Sequence, residues 1–99
     1  MLFGRLTEIE GSAEQVDAML DHLRGSVIPG VKEMAGSKGF ITLVDRDSGK
    51  AIGISLWENR EAMVEARNRA SQLRSDSAQA AGGDVAGVGE YEIAIDERF

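Results

Sequence analysis

The sequence has no cysteine and a single histidine among its 99 residues. The absence of cysteine excludes disulfides, thiol catalysis, iron–sulfur clusters and zinc–thiolate sites, and it fits a reducing cytoplasm. A single histidine without cysteine argues against a transition-metal site. No residue is spaced to form a relay with His22, so a surface position is favoured over a role as a general base. We therefore expect a cytoplasmic protein without a bound metal or a resident cofactor, in which His22 lies on the solvated flank of the first helix.

Long apolar segments and an excess of positive charge are also missing. No apolar run approaches the ~20 residues that a membrane-spanning helix needs. The first eight residues lack the basic region and apolar core of a signal peptide. The net charge of −6 argues against nucleic acids and anionic membranes as partners.

What remains is the composition of an ordinary folded domain, with 42% apolar and 28% charged residues. A chain of this length predicts one domain, residues 1–99. Because so short a domain leaves much of its surface exposed, it often gains stability by burying one face against a second copy. The sequence thus favours a homodimer.

Residues 39–73 predict a strand, a turn, a strand and a helix. The turn contains Ser48-Gly49, in which glycine supplies the positive φ that a hairpin connection requires. In the returning strand one face carries Ile52, Ile54 and Leu56, which we expect under the helices. The other face carries Gly53, Ser55 and Trp57, which suits a partner sheet or a cavity.

The remaining elements complete a symmetrical pattern. A first strand is expected at residues 2–9, and a helix capped by Ser12 should run to about residue 35 with a bend at Pro29. Asn59 is a plausible cap for the second helix. Residues 78–89 are rich in alanine and glycine and read as a mobile connection, followed by a last strand in which Tyr91, Ile93 and Ile95 alternate with polar residues.

The pattern predicts a ferredoxin-like βαββαβ α+β sandwich with a four-stranded antiparallel sheet in the order 4-1-3-2. The first and third strands are expected to lie parallel at the centre of the sheet. Both helices should cover one sheet face.

The sequence resembles the dimeric α+β barrel superfamily, and within it the antibiotic biosynthesis monooxygenase-like small proteins. The residues that carry the resemblance are Gly39-Phe40, the hairpin 45–50, Ser55-Leu-Trp57-Glu58 with Arg60-Glu-Ala62, and Glu90-Tyr91-Glu-Ile-Ala94. The resemblance implies that exposed sheet faces pair across a two-fold axis to close a barrel. It also implies a pocket between the sheet and the helices of each subunit.

The resemblance points to candidate ligand-binding residues. Trp57 matches by position, and Asn59, Arg67 and Tyr91 match only by residue type. For Trp57 the structural alternative is a packing or interface residue. The haem-degrading branch is disfavoured, because the first strand has no asparagine and no histidine follows His22.

A row of arginines, Arg60, Arg67 and Arg74, recurs every seven residues along the second helix. The row could bind an anionic ligand. It is more typical of a solvated flank whose aliphatic stems cover apolar surface.

Two functions follow as hypotheses. The first is a dimer that binds a small aromatic or apolar molecule and works as a cofactor-independent monooxygenase, supplying orientation and desolvation to an electron-rich substrate. The second is a dimer that binds a ligand or serves as an accessory subunit without catalysis, since no cluster of titratable residues has catalytic spacing.

Overall fold

The computed structural model describes every residue from Met1 to Phe99. Its strands are β1 (Phe3–Glu10), β2 (Ser37–Val44), β3 (Lys50–Trp57) and β4 (Asp84–Glu92). Its α-helices are α1 (Val16–His22), α2 (Ile28–Lys32), α3 (Arg60–Glu65) and α4 (Arg67–Ala80). A 3-10 turn (Ala13–Gln15) leads into α1, and a π-helical segment (Leu23–Val27) joins α1 to α2.

The sheet has the order β2-β3-β1-β4, which confirms the predicted order and the ferredoxin-like fold. The expectation that the first and third strands run parallel was wrong, because β1 and β3 pair antiparallel. The reason is topological: the helical crossover returns β2 in the direction of β1, and the hairpin then reverses β3. The whole sheet is consequently antiparallel.

The hairpin between β2 and β3 forms as predicted. Gly49 has a φ of 83°, and the Asp45 amide nitrogen donates to the Lys50 carbonyl at 2.9 Å. The Asp45 carboxylate accepts hydrogen bonds from the amides of Asp47 and Ser48, and these bonds lower its pKa. The local chemistry of this turn therefore determines the register of the two strands.

The two faces of β3 were assigned the wrong way round. Ala51, Ser55 and Trp57 are buried beneath the helices, whereas Ile52 and its alternating neighbours Ile54 and Leu56 occupy the opposite face of the sheet. The small residues of β3 lie on the helical side because large side chains of neighbouring elements pack against them there. A Cβ on Gly53 would lie 3.3 Å from the Phe40 ring.

The first helical stretch ends at Lys32, earlier than predicted, and it continues through Pro29 as expected. The π-helical segment lies immediately before Pro29, which occupies the first turn of α2, where its missing N–H costs little. The buried apolar residues of this stretch are Val16, Met19, Leu23, Val27 and Val31.

Asn59 caps α3 as predicted, since its side-chain oxygen accepts a hydrogen bond of 2.8 Å from the Ala62 amide. The second helix is interrupted at Ala66 and then continues to Ala80. Met63, Ala66, Ser77 and Ala78 are the buried residues of this helix.

The region predicted as a mobile connection is instead the end of α4 and most of β4. Gly82, with a φ of 71°, ends the helix. Gly83 allows the chain to approach β1 closely, because a Cβ there would overlap the Glu10 carbonyl oxygen. β4 ends at Glu92, earlier than predicted, and Ile95 is exposed.

The sheet face turned away from the helices is largely apolar. Exposed on it are Ile41 (37%), Leu43 (53%) and Tyr91 (59%), around Leu6 and the apolar residues of β3. We call this surface the open sheet face. As for the helices, none combines the length and apolarity that crossing a membrane demands.

Candidate functional site

A cavity of about 60 Å³ lies between the sheet and the helices. Strand residues such as Thr7, Thr42 and Gly53 form its floor, and residues of the helices such as Met19 and Leu73 form its roof. Its lining is mostly apolar, with arginine and hydroxyl side chains as the polar groups. A few polar groups in an apolar lining are the usual composition of a small-molecule site.

Trp57 forms one wall of this cavity and has no exposed surface. Its indole Nε1 donates a hydrogen bond of 2.9 Å to the Ser55 hydroxyl, so the buried N–H is satisfied within the same strand. The guanidinium of Arg5 lies over the indole, 5.7 Å from the ring centroid. The bond and the stacked cation hold the ring in one orientation.

Arg5 is the only strongly buried charged residue, with 3% of its side chain exposed. Its Nη2 donates to the Met63 carbonyl oxygen, and its Nη2 and Nε donate to Glu90 at 3.1 and 3.3 Å. Its Nη1 is buried and has no partner. One guanidinium donor group therefore remains unused inside the protein.

Glu90 binds a second arginine on its outer side. Arg67 donates from Nη2 to Oε1 at 2.6 Å and from Nε to Oε2 at 3.1 Å. These hydrogen bonds from Arg67, with a further contribution from Arg5, hold the pKa of Glu90 at about 2, although burial opposes them. The carboxylate is therefore ionised throughout the physiological range.

Arg74 completes the cluster, which we call the arginine cluster: Arg5, Arg67 and Arg74 around Glu90. Burial lowers the pKa of Arg74, and the nearby charge of Arg5 lowers it further. A surface hollow of about 600 Å³ lies outside the cluster, lined by all four of its residues together with Asn68. Arg5 and Arg74 line both the hollow and the inner cavity.

The four residues predicted to bind ligand are not brought together. Trp57 lines the cavity, and Arg67 lines the outer hollow. Asn59 is exposed and caps α3, and Tyr91 lies on the open sheet face with its ring over Gly89. A ligand-binding role for Asn59 or Tyr91 stays a prediction.

The arginine row is more than a solvated flank. Arg60 lies over the Phe3 ring at 5.2 Å, Arg67 binds Glu90, and Arg74 is half-buried. The expectation for His22 also needs correction, since the side chain is half-buried and its Nε2 is shielded without a partner.

Sequence reasoning did not find Arg5 or Glu90 as site residues. The signal in the sequence was a charged residue on the helix-facing side of each of two strands, Arg5 on β1 and Glu90 on β4. On β1, Arg5 shares this side with Thr7 and Ile9. Recognising it required knowing that β1 and β4 are neighbours and that Arg5 faces Glu90 in their register.

No family model matches the sequence. Rv2557, an uncharacterized protein of Mycobacterium tuberculosis H37Rv, is 38% identical over 98 residues. The match covers 99% of the present chain and 43% of Rv2557, so the chain spans less than half the length of this relative.

Solved structures with this fold include oxygenases of Streptomyces. A monooxygenase from the gene ActVA-Orf6 of Streptomyces coelicolor, in complex with the ligand Nanaomycin D, matches 99% of this chain and 89% of its own with a TM-score of 0.67 and 13% identity. A point mutant of SnoaB, a cofactor-independent oxygenase from Streptomyces nogalater, matches 96% of this chain and 93% of its own with a TM-score of 0.63 and 13% identity. At this identity the likeness concerns the fold alone, and the chain has the α+β fold of antibiotic biosynthesis monooxygenase-like proteins.

Proposed function

We propose that the protein binds a small, largely apolar or aromatic molecule in the cavity beside Trp57. The observation that carries the proposal is the cavity itself, apolar on most of its walls and bounded on one side by an indole held by Ser55 and Arg5. A fixed aromatic wall favours a planar ligand through offset stacking.

Binding can be tested through the single indole N–H of the chain. Neutral phenols and quinols added to ¹⁵N-labelled protein are expected to shift the Trp57 Nε1–H resonance in a saturable way. The variant Ala70→Leu should abolish the shift, because Ala70 lines the cavity and a larger side chain fills it. Ala18→Leu, at an exposed position of α1, is the matched control. Equal shifts in both variants would place the ligand elsewhere.

Cofactor-independent oxygenation is the activity that we propose to test first. It is favoured by the fold shared with SnoaB, which is a cofactor-independent oxygenase. In such a reaction an electron-rich substrate gives its own electrons to O₂. At a ring methylene, CH₂ and O₂ become C=O and H₂O, so the substrate is oxidised and no external reductant is needed.

The site would contribute to this reaction by exclusion of water and by orientation. The cavity lining contains no carboxylate and no imidazole, so it has no general base to ionise a substrate. A substrate that is already ionised in solution would therefore be needed. Oxygen uptake with a panel of phenols and quinols is the measurement, with Ala70→Leu as the blocked control. If oxygen uptake does not exceed that of the control, oxygenation is rejected, whereas the proposal of ligand binding is unaffected.

A ligand-binding protein without catalysis is the second candidate. One observation favours it: the cavity lining contains no group that could act as a base. Saturable binding without oxygen uptake is the result that it predicts.

We further propose that the protein is a cytoplasmic homodimer in which the open sheet faces pack against each other. The exposed apolar side chains on this face, with Leu43 and Tyr91 more than half exposed, form the kind of surface that proteins bury in an interface. Light scattering should give twice the chain mass of 10.6 kDa, whereas a monomer at micromolar concentration would contradict the proposal.

A further inference from the structure

We propose that the arginine cluster is an anion site, and that its ligand is a small organic carboxylate whose apolar part enters the cavity beside Trp57. The apolar half of this inference depends on the proposed function, whereas the anionic half depends on separate observations.

The first observation is the imbalance of charge within the cluster. Arg5 and Arg67 share one carboxylate, Glu90, and Arg74 lies close to Arg5 without an ion pair of its own. The cluster therefore carries an excess of two positive charges in a protein whose net charge is −6. Fully paired structural networks do not need this excess, and a bound anion would neutralise it.

The second observation is the unused donor of Arg5. Its Nη1 is buried and unpartnered in a side chain that is only 3% exposed. Leaving a buried donor of a charged group without a partner costs more free energy than leaving a neutral donor unpaired. A ligand oxygen at this position would supply the missing acceptor.

The third observation is the position of Arg74. No hydrogen bond or ion pair within the chain involves its side chain, although it is half-buried on α4. Arg74 is close enough to Arg5 that the charge of Arg5 lowers the pKa of Arg74. Two arginines that repel each other inside a protein are stabilised when an anion lies between them.

The surroundings select a carboxylate with an apolar part over an inorganic anion. Arg5 and Arg74 border both the outer hollow and the apolar inner cavity, so an anion held by them has the indole of Trp57 on its inner side. The planar fork of a guanidinium matches the two oxygens of a carboxylate. Glu90 then acts as a positioning residue that holds Arg5 and Arg67 from the other side.

A matched pair of ligands distinguishes the contribution of the negative charge to the binding affinity from that of the aromatic ring. Sodium benzoate and benzamide have nearly the same shape and differ in charge, and both can be titrated by calorimetry at low ionic strength. We expect benzoate to bind at least tenfold more tightly than benzamide, and inorganic phosphate to bind more weakly than benzoate. Equal affinity for benzoate and benzamide, or stronger binding of phosphate, would overturn the inference.

Variants then locate the anion. Arg74→Gln should weaken benzoate about tenfold and leave benzamide unchanged, and Arg74→Lys should recover part of the loss. Arg69→Gln removes an equal charge from the exposed face of the same helix, where Arg69 pairs with Glu33, and should have no effect. Equal losses in Arg74→Gln and Arg69→Gln would mean unspecific charge attraction and overturn the site. Denaturation curves of each variant establish that it is folded.

The two proposals fail in different ways. If neutral phenols shift the Trp57 indole resonance but benzoate binds no better than benzamide, ligand binding in the cavity is supported and the anion site is rejected. If benzoate binds through Arg74 without moving that resonance, the arginine cluster holds an anion but the cavity does not take the ring.

Discussion

Arg5 and Glu90 lie directly opposite each other in the register of β1 and β4, and their side chains meet on the helical side of the sheet at 3.1 Å. Glu90 is the only carboxylate that the buried Arg5 contacts. The pair thus joins a central strand to an edge strand at the same point where the cavity and the outer hollow meet.

Glu90→Gln should destabilise the fold strongly, because it leaves the charge of Arg5 buried without its partner. Removing one member of a fully buried ion pair typically costs roughly 3–5 kcal/mol, and because Glu90 is itself 24% exposed we expect a loss towards or below the lower end of that range. Such a loss is still a large part of the ~5–15 kcal/mol by which small domains are stable. Chemical denaturation followed by circular dichroism measures the loss. Glu92→Gln, two residues further along β4 and exposed, should change the free energy of unfolding very little.

Acid should weaken the protein through the same carboxylate. The pKa of Glu90 is about 2 in the folded state and near 4.5 in an unfolded chain. Since the folded-state pKa is the lower one, its contribution is present above pH 4.5 and is lost as the pH falls from 4.5 towards 2. Denaturation at a series of pH values should show this decline, and Glu90→Gln should lack the part that Glu90 contributes. An equally steep decline in that variant would assign the acid sensitivity to other groups.

Ser55→Ala should reveal the cost of the buried indole N–H. The substitution removes the sole acceptor of Trp57 Nε1 at a site with no exposed surface, which predicts a loss of ~1–3 kcal/mol. Ser75→Ala, at an exposed position of α4, is the control and should stay within ~0.5 kcal/mol of the parent. A loss no larger in Ser55→Ala than in the control would contradict this role of the hydrogen bond.

Two glycines should respond to alanine in opposite directions. Gly25 lies in the π-helical segment, and a Cβ added to it would have nothing within 4 Å, so Gly25→Ala should stabilise by ~0.4–1 kcal/mol. Gly49 has a positive φ, and its Cβ would lie 2.5 Å from the Ala13 nitrogen. Gly49→Ala should therefore destabilise by more than Gly25→Ala stabilises, and thermal melts of both variants provide the comparison.

A charge on the open sheet face should dissociate the proposed dimer. Leu43 is 53% exposed on this face, so Leu43→Lys should leave the fold intact and reduce the mass from twice 10.6 kDa to 10.6 kDa. Val64→Lys introduces the same charge on α3, on the other side of the molecule, and should leave the mass unchanged. A dimer that survives Leu43→Lys would have to use another surface.

The parts of the fold that depend on local chemistry were predictable from the sequence. The Gly49 turn and the Asn59 cap each follow from a few adjacent residues. The strand order followed from the βαββαβ succession of the elements. β4 was placed too late, because Ala and Gly have low strand propensity and only pairing with β1 makes residues 84–89 a strand.

The faces of β3 and the arginine cluster depend on tertiary structure. Both faces of β3 carry apolar residues, so alternation alone could not say whether Ile54 or Trp57 lies beneath the helices. Arg5 and Glu90 are separated by most of the chain, and nothing near either residue indicates the other. Trp57 was found because a family motif placed it, whereas Arg5 had no motif.

Trp57 is the only tryptophan of the chain and has no exposed surface. The intrinsic fluorescence of the folded protein therefore arises almost entirely from one wall of the cavity, under the guanidinium of Arg5. A blue-shifted emission that resists soluble quenchers would report an intact site without any label, and its intensity would follow an occupant of the cavity in real time.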